Sequence, residues 1–310
     1  MTVATSNGHV NGAAHYRPNR RGAVLVTGAS SGIGFATALR LARHGTTVFA
    51  GIRRQADGEA LLRDGGGNVR PMLIDVADRG SLVRARAKIE TLTEFRLDAL
   101  VNNAGIALGG PLELIPMDAL RRQFEVNFFG AIAAIQTFLP LLRESGGRIV
   151  NVSSISGKFA TPFIGPYAAS KFALEAASDA LRLELRPFGI FVSLVEPGSV
   201  RTPIWKRSSD ASLRVIGESP PEARAPYAAM LRAMAGLAEK MERGGVEPER
   251  VAAVIERALT SARPRARYLV GADARLRLLI ARVPEFLRDR LILAALGAAV
   301  PPGSAVPETR

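Results

Sequence analysis

The stretch Thr27-Gly-Ala-Ser-Ser-Gly-Ile-Gly34 restricts what this chain can become more than any other. It follows an apolar run, Ala23-Val-Leu-Val-Thr27, and opens a helical pattern over about residues 31–44. Glycines at such a turn let the backbone double back and come close to a ligand. The helix behind them starts with unpaired N–H groups that favour negative charge. Strand, glycine turn and helix in that order make half of a βαβ unit, so a parallel sheet has to be built around it. A glycine-rich turn that holds no ligand is the alternative.

The rest of the chain keeps the same rhythm. Short apolar runs recur at Thr47–Ala50, Pro71–Ile74, Asp98–Asn103, Arg148–Ser153, Ile190–Val195 and Arg267–Val270. Helical segments lie between them, over about 79–94 and 119–143, and in a helix that carries Tyr167 and Lys171 to Arg186, where Pro187 and Gly189 stop it. Buried strands alternating with helices predict one α/β domain over residues 21–271, with a doubly wound, seven-stranded parallel sheet. Residues 199–245 break the rhythm with turn signals and a weak helix around 223–243, and read as a substrate lobe before the last strand. Residues 1–20 and 301–310 read as tails, the first polar, without periodicity and expected to be disordered. Residues 272–300 form an amphipathic extension in which Leu276, Leu279, Ile280, Val283, Phe286, Leu287 and Leu291 stand among arginines, with a break at Pro284.

Composition removes several function classes. There is no cysteine, which excludes disulfides and thiolate metal sites. The 3 histidines are at positions 9, 15 and 44, two of them in the tail, so no metal site is expected. A net charge of +13 invites nucleic acid, an anionic membrane or a phosphorylated cofactor. The arginines are scattered and form no recognition motif, so they read as solvated helix faces, with no nucleic-acid partner. The N-terminus lacks a basic-then-apolar pattern, and Leu291–Val300 is too short to span a bilayer. A cytoplasmic location is expected. Peripheral membrane contact through 272–296 is one fate for the extension, and packing on the body or a second subunit is the other.

Particular side chains suggest chemistry. Tyr167 and Lys171 are four apart, hence on one face of their helix. A cation beside a phenol favours the phenolate and should lower its pKa toward working pH, as acid/base work on a carbonyl or alcohol requires. Ser153 and Ser154 end a strand upstream, where a hydroxyl either donates to a substrate oxygen or caps a turn. The second strand runs into Gly51-Ile-Arg53-Arg54, with two guanidiniums and no acid. A carboxylate there would bind a ribose 2′-hydroxyl, whereas guanidinium suits a 2′-phosphate, so NADP is favoured and NAD is the alternative. Asp75 is placed either to hold an adenine amino group or to cap the next turn. Asn102-Asn-Ala-Gly105 ends a strand at the ligand-binding edge, part cofactor wall and part clamp. Asn127, an amide among Phe124, Val126, Phe128 and Phe129, either stabilises a kink or serves a relay.

Together these motifs resemble the short-chain dehydrogenase/reductase family, in its compact subgroup built on one Rossmann domain. The likeness runs from Ala23 to about Gly271 and includes Thr27–Gly34, Asn102–Gly105, Asn127, Ser154, Tyr167-x3-Lys171, and Pro197-Gly198 followed by Thr202. It implies that Tyr167 is the acid/base, that Lys171 depresses its pKa and binds the nicotinamide ribose, that Ser154 holds the substrate oxygen, and that Asn127 organises a water linking Lys171 to solvent. It implies a cofactor held by Gly28, Ser30, Ser31, Gly32, Ile33 and Gly34, by Arg53, Asp75 and Val76, by Asn103, Ala104 and Gly105, by Tyr167 and Lys171, and by Pro197, Gly198, Val200 and Thr202. The segments Ser153–Pro166 and Phe188–Pro197 are similar to the branch of retinol and hydroxysteroid dehydrogenases. Leu108, Ile155, Phe163 and Trp205 would then line an apolar pocket, Trp205 as part of a lid, with core packing as the alternative. The likeness implies an NADP-dependent oxidoreductase that interconverts a ketone or aldehyde and an alcohol on a lipophilic molecule. It also implies a homodimer or homotetramer. Two other readings stand beside it: a catalytically silent dinucleotide-binding redox sensor, and the same chemistry with NAD on a small polar hydroxy acid. The intact set of Asn127, Ser154, Tyr167 and Lys171 argues against the sensor.

Overall fold

A computed structural model of the chain describes residues 22–94, 96–229, 231–232, 236 and 243–295. The expected tails at 1–20 and 301–310 lie outside the described residues, as do the last residues of the extension and about half of the weak helix expected around 223–243. Seven strands pair in parallel: β1 (Ala23–Val26), β2 (Thr47–Ile52), β3 (Val69–Leu73), β4 (Ala99–Asn102), β5 (Arg148–Val152), β6 (Phe191–Pro197) and β7 (Arg267–Val270). Their order is β3-β2-β1-β4-β5-β6-β7. The direction of winding reverses between β1 and β4, and in open sheets ligands bind outside the carboxyl ends at that point.

The strands divide their side chains between two cores with a period of two. Val24 and Val26 of β1 join Val48, Ala50, Ala99, Val101, Val150 and Val152 on one face. Leu25 joins Phe49, Leu100 and Ile149 on the other. The first core is covered by α1 (Gly32–Arg43) and α2 (Asp57–Gly65), through Leu39, Leu41 and Leu61, and by the helix Pro248–Thr260, through Val251, Ile255 and Leu259. The second is covered by α3 (Arg79–Thr93), through Leu82 and Ile89, and by α5 (Gly130–Ser145), through Ile135, Phe138 and Leu142. Each such fully buried aliphatic or aromatic side chain stabilises the fold by about 1.5–3 kcal/mol. Met117–Ser145 is apolar and long enough to cross a membrane, but half of its most apolar window is buried in the body. That is the burial expected of a core helix lying on a sheet.

The floor of the sheet, opposite the ligand edge, is fixed by charge. Asp98 accepts the Ala23 N–H through Oδ2 at 2.8 Å. Arg148, 2 % exposed, donates to the carbonyls of Ala258 and Ser261 at 2.8 and 2.7 Å. A guanidinium on the last carbonyls of the helix Pro248–Thr260 satisfies groups that the helix cannot pair itself and opposes its dipole.

The structure departs from the sequence reading in three places. The helix expected over 119–143 is α4 (Met117–Phe124), a π turn at Glu125–Phe129, and α5. A second helix, Pro248–Thr260, provides the crossover between β6 and β7 that the sequence reading passed over. In the lobe, α7 (Ile204–Gly217) forms where only turn signals were read, followed by short turns at Pro221–Arg224 and Ala225–Tyr227. A parallel bridge between Val200 and Val246 closes the neck of that lobe. The extension forms two helices, Ala272–Ile280 and Glu285–Ala295, that bury Ala274 but leave Leu276, Leu279, Phe286, Leu287 and Leu291 exposed.

Candidate active site

A cavity of about 460 Å³ opens at the switch point, along the carboxyl ends of the strands. Gly28, Ser30, Ser31, Gly32 and Ile33 form one wall. Gly28 has φ +64, and a Cβ there would stand 2.7 Å from the Ala104 Cα. Gly34 lies behind this wall, where a Cβ would collide with the Gly28 carbonyl and the Asn103 amide. The turn is thereby kept thin enough for a ligand to approach the backbone. Ser31 caps α1 with no side-chain hydrogen bond, and no acidic residue stands in the first turn. The N–H groups there are thus left uncapped by side chains and open to an anion, the chemistry that a pyrophosphate requires.

The loop after β4 is tied to this turn. Thr27 Oγ1 accepts the N–H groups of Asn103 and Ala104 at 3.0 and 3.1 Å and donates to the Val101 carbonyl at 3.3 Å. Asn103 Nδ2 donates to the carbonyls of Thr27 and Gly28, both at 3.0 Å. Asn102 works behind the wall, donating to Asn151 Oδ1 at 3.0 Å. Asn103, Ala104 and Gly105 line the cavity, so the motif is wall and clamp together. Asn127, 1 % exposed in the π turn, accepts the Ile106 N–H at 2.8 Å and donates to the Ile106 carbonyl at 2.9 Å. It also donates to Ser170 Oγ at 3.0 Å. The wide turn pushes the amide inward, where it satisfies a stretch of loop backbone that has no strand to pair with.

Ser154, Tyr167 and Lys171 meet at the cavity floor. Ser154 follows β5 and accepts the Ser156 N–H at 3.1 Å. Tyr167 and Lys171 sit in α6 (Gly165–Glu184), 9 % and 5 % exposed. Lys171 Nζ donates to the Val152 carbonyl at 2.9 Å and stands 5.8 Å from the centre of the Tyr167 ring. Burial pushes the Tyr167 phenol up, and its hydrogen bond with Ser154 pulls it part of the way back. The lowering expected from the neighbouring ammonium is therefore not what governs the phenol here, because desolvation outweighs it. Burial also depresses Lys171 to about 8, opposed by the carboxylate of Glu175 one turn further on. Glu175 is held by Lys158 at 2.8 Å and Arg267 at 3.2 Å, and Arg267 also reaches Asp179 and Glu196 at 2.6 and 3.1 Å. Burial, and then the nearby Glu175, push Glu196 well above the usual carboxylate range.

At the other end of the cavity stand Arg53, Asp75 and Val76. Arg54 is paired with Asp57 at 2.7 Å on the surface, whereas Arg53 lines the cavity. Asp75 accepts the Ala77 N–H at 3.0 Å through Oδ1, so it caps the turn and lines the cavity as well. Pro197, Gly198, Val200 and Thr202 complete the wall under the lobe.

Of the expected pocket residues, Leu108 lines the cavity. Ile155 is buried in the turn Ile155–Gly157, and Phe163, in the left-handed region at φ +67, packs its ring edge-on against Tyr227 at 6.3 Å. Neither lines the cavity, whose apolar side includes Ile204, Ala211 and Val215 of α7. The Trp205 side chain lies outside what the structure describes.

Two residues that the sequence reading passed over also shape the site. Gln123 donates to the Ile106 carbonyl at 2.6 Å and accepts the Leu108 N–H at 2.8 Å, one turn before Asn127 on the same helix face. That spacing was the available signal. Asp273, at the start of the extension, accepts the Ser199 N–H at 2.7 Å and abuts Gly198, where a Cβ would overlap the carboxylate. Only the folded chain brings these two together.

A glycine turn shaped for pyrophosphate, with a hydroxyl, a phenol and an amine at one end of the same crevice, offers the chemistry of a dinucleotide site beside an acid/base site. The comparisons with known proteins agree. Residues 22–213 match the family model described as short chain dehydrogenase. The chain is 41 % identical over 248 residues to the uncharacterized oxidoreductase YbbO of Escherichia coli (strain K12), covering 80 % of this chain and 84 % of that protein. It is 36 % identical over 260 residues to retinol dehydrogenase 5 of Mus musculus, covering 82 % and 81 %. A short chain dehydrogenase from Burkholderia cenocepacia J2315, solved in complex with NADP, superposes with a TM-score of 0.66 at 25 % identity, covering 89 % of this chain and 98 % of that one. Motifs, fold and likeness converge on one assignment: the chain belongs to the short-chain dehydrogenase/reductase family, as an oxidoreductase that works with a nicotinamide dinucleotide.

Proposed function

We propose that this chain is an NADP(H)-dependent oxidoreductase that interconverts a carbonyl and an alcohol on a lipophilic small molecule, with Tyr167 as the acid/base. The observation that carries this is the Tyr167–Ser154 hydrogen bond at the floor of a crevice whose substrate side is apolar. The dinucleotide supplies the hydride donor or acceptor. Tyr167 gives a proton to the substrate oxygen in reduction and takes one from the alcohol in oxidation. Ser154 directs a hydroxyl at the same oxygen, where charge develops. Lys171 keeps a cation one turn from the phenol, and Asn127 holds the loop wall behind it.

The NADP preference is supported by Arg53 lining the cavity and by the lack of any acid in Gly51–Arg54. The lipophilic substrate is supported by the Leu108, Ile204, Ala211 and Val215 walls, and by the name of the retinol dehydrogenase relative. A panel of lipophilic ketones and small polar keto acids, followed by NADPH and NADH absorbance, tests both points. Turnover confined to the polar acids with NADH would overturn the assignment. Tyr167→Phe should lower kcat by about a thousandfold while NADPH binding, read by fluorescence, is kept. Full activity in that variant would sink the mechanism.

The pH dependence has a definite sign. Oxidation needs the phenolate, and burial raises the phenol pKa. Alcohol oxidation should thus keep rising with pH above neutrality, while carbonyl reduction, which needs the phenol, should not rise with it. Matching profiles in both directions would point to another acid/base.

A further inference from the structure

We propose that Arg207, carried by the lobe helix α7, is a second guanidinium for the 2′-phosphate of NADP, so that the substrate lobe itself takes part in cofactor choice. The inference rests on the NADP reading given above and extends it to a residue from a different part of the chain. Ile204, Arg207, Ser208, Ala211 and Val215 all line the cavity. Their spacing of three and four puts them on one face of α7, so Arg207 belongs to the inward face, although it lies on a largely exposed helix. This face is fixed in position at both ends. Thr202, just before α7, lies so close to the glycine turn that a Cβ on Gly32 would come within 3.0 Å of its Cγ2. Ser212 Oγ accepts the Gly109 N–H at 2.9 Å.

The first turns of α7 therefore lie across the cofactor crevice. Arg207 is placed there at the adenosine end rather than the substrate end. The carboxylate of Asp57, at the start of α2, is held down by Arg54 first, and Arg207 and Arg53 both add to the effect. Two guanidiniums that act on one carboxylate just past β2, and that line one cavity, converge on a small region. Arg54 is tied to Asp57 through two hydrogen bonds, at 2.7 and 3.2 Å. Neither Arg53 nor Arg207 forms an ion pair among the described residues. A dianionic phosphate between them would receive charge-assisted, bidentate contacts from opposite walls, the geometry for which guanidinium is suited. A 2′-hydroxyl offers no such charge, and the two guanidiniums would gain no anionic partner from it.

The test separates the phosphate from the rest of the cofactor. Binding of NADPH, NADH, adenosine 2′,5′-bisphosphate and 5′-AMP is measured on the wild type and on Arg53→Ala, Arg207→Ala and Arg207→Lys. NADPH and NADH are followed by fluorescence and the two nucleotides by calorimetry. Arg207→Ala should weaken NADPH and the bisphosphate about ten- to hundredfold and leave NADH and 5′-AMP within about twofold. Arg207→Lys, which keeps the charge but loses the fork, should recover part of that loss. Equal weakening of all four ligands would overturn the inference, since Arg207 would then serve the pyrophosphate or the folding of the lobe. No change in any of them would overturn it too. A wild type that binds NADH as tightly as NADPH would instead defeat the NADP reading, and this inference with it. A wild type that prefers NADPH, with only Arg53→Ala removing the preference, would defeat this inference alone.

Discussion

Burying Lys171 to 5 % exposure depresses its ammonium from 10.5 to about 8, and this links the site to the stability of the whole chain. Between those two values the folded chain binds fewer protons than the unfolded one, so stability rises with pH across that window. Below pH 8 the full cost of the buried ammonium is present, up to about 3 kcal/mol for a shift of this size. Lys171→Met has no charge to bury. It should be more stable than the wild type at pH 7 and lose that advantage by about pH 10.5, as denaturant melts of both proteins would show. An advantage that does not change with pH would mean that the fold leaves the Lys171 pKa where the unfolded chain has it. The sequence made Tyr167 and Lys171 legible as a pair because helical spacing is a local property. It could not show that desolvation would outweigh the attraction between them, because burial is set by β5, α6 and the lobe together.

At the scale of elements, the π turn at Glu125–Phe129 is where local pattern and tertiary demand part company. The apolar periodicity of 119–143 continues through it, so a continuous helix is the natural reading. What selects the wider turn is the loop wall at Ile106, which needs both functions of the Asn127 amide. Asn127→Leu removes them and leaves the partly buried Ile106 N–H without its acceptor. The expected loss is about 2–3 kcal/mol, read as a lower denaturant midpoint with an unchanged slope. Arg148→Met should cost a similar amount, about 2–4 kcal/mol, by exposing the end of the helix Pro248–Thr260. The two variants should differ in catalysis. Arg148 lies at the floor of the sheet, so kcat/KM of the folded variant should stay near that of the wild type, whereas Asn127→Leu should lower it. The helix α7 escaped the sequence reading for a related reason. Its surroundings are dense in Pro, Ser and Gly, and its helicity is fixed by Ser212 and by the neck at Val200 and Val246.

The whole molecule shows which features a sequence can announce. The sheet was readable because its strands are short apolar runs set between helices, and β7 begins and ends where Arg267–Val270 predicted. The ligand edge followed from the glycine turn. The amphipathic extension was visible too, but the mate of an apolar stripe is not written in the stripe, and here Leu276, Leu279, Phe286, Leu287 and Leu291 face outward. Nor could the sequence show that Asp273 would pin the loop at Gly198 and Ser199, a contact between segments far apart in the chain. Asp273→Ala should weaken dinucleotide binding about tenfold with the far-ultraviolet spectrum unchanged. Unaltered affinity would show that the loop holds its shape without it.

The same carboxylate imposes an order on the chain's birth. Gly28 leaves the ribosome long before Asp273, so the loop at Gly198 and Ser199 stays unbraced until residue 273 has been made. Dinucleotide in the cell would thus stabilise the finished domain by mass action while giving little help to the nascent chain. A chain released before residue 273 would be left with its glycine turn but without the latch that closes the opposite wall.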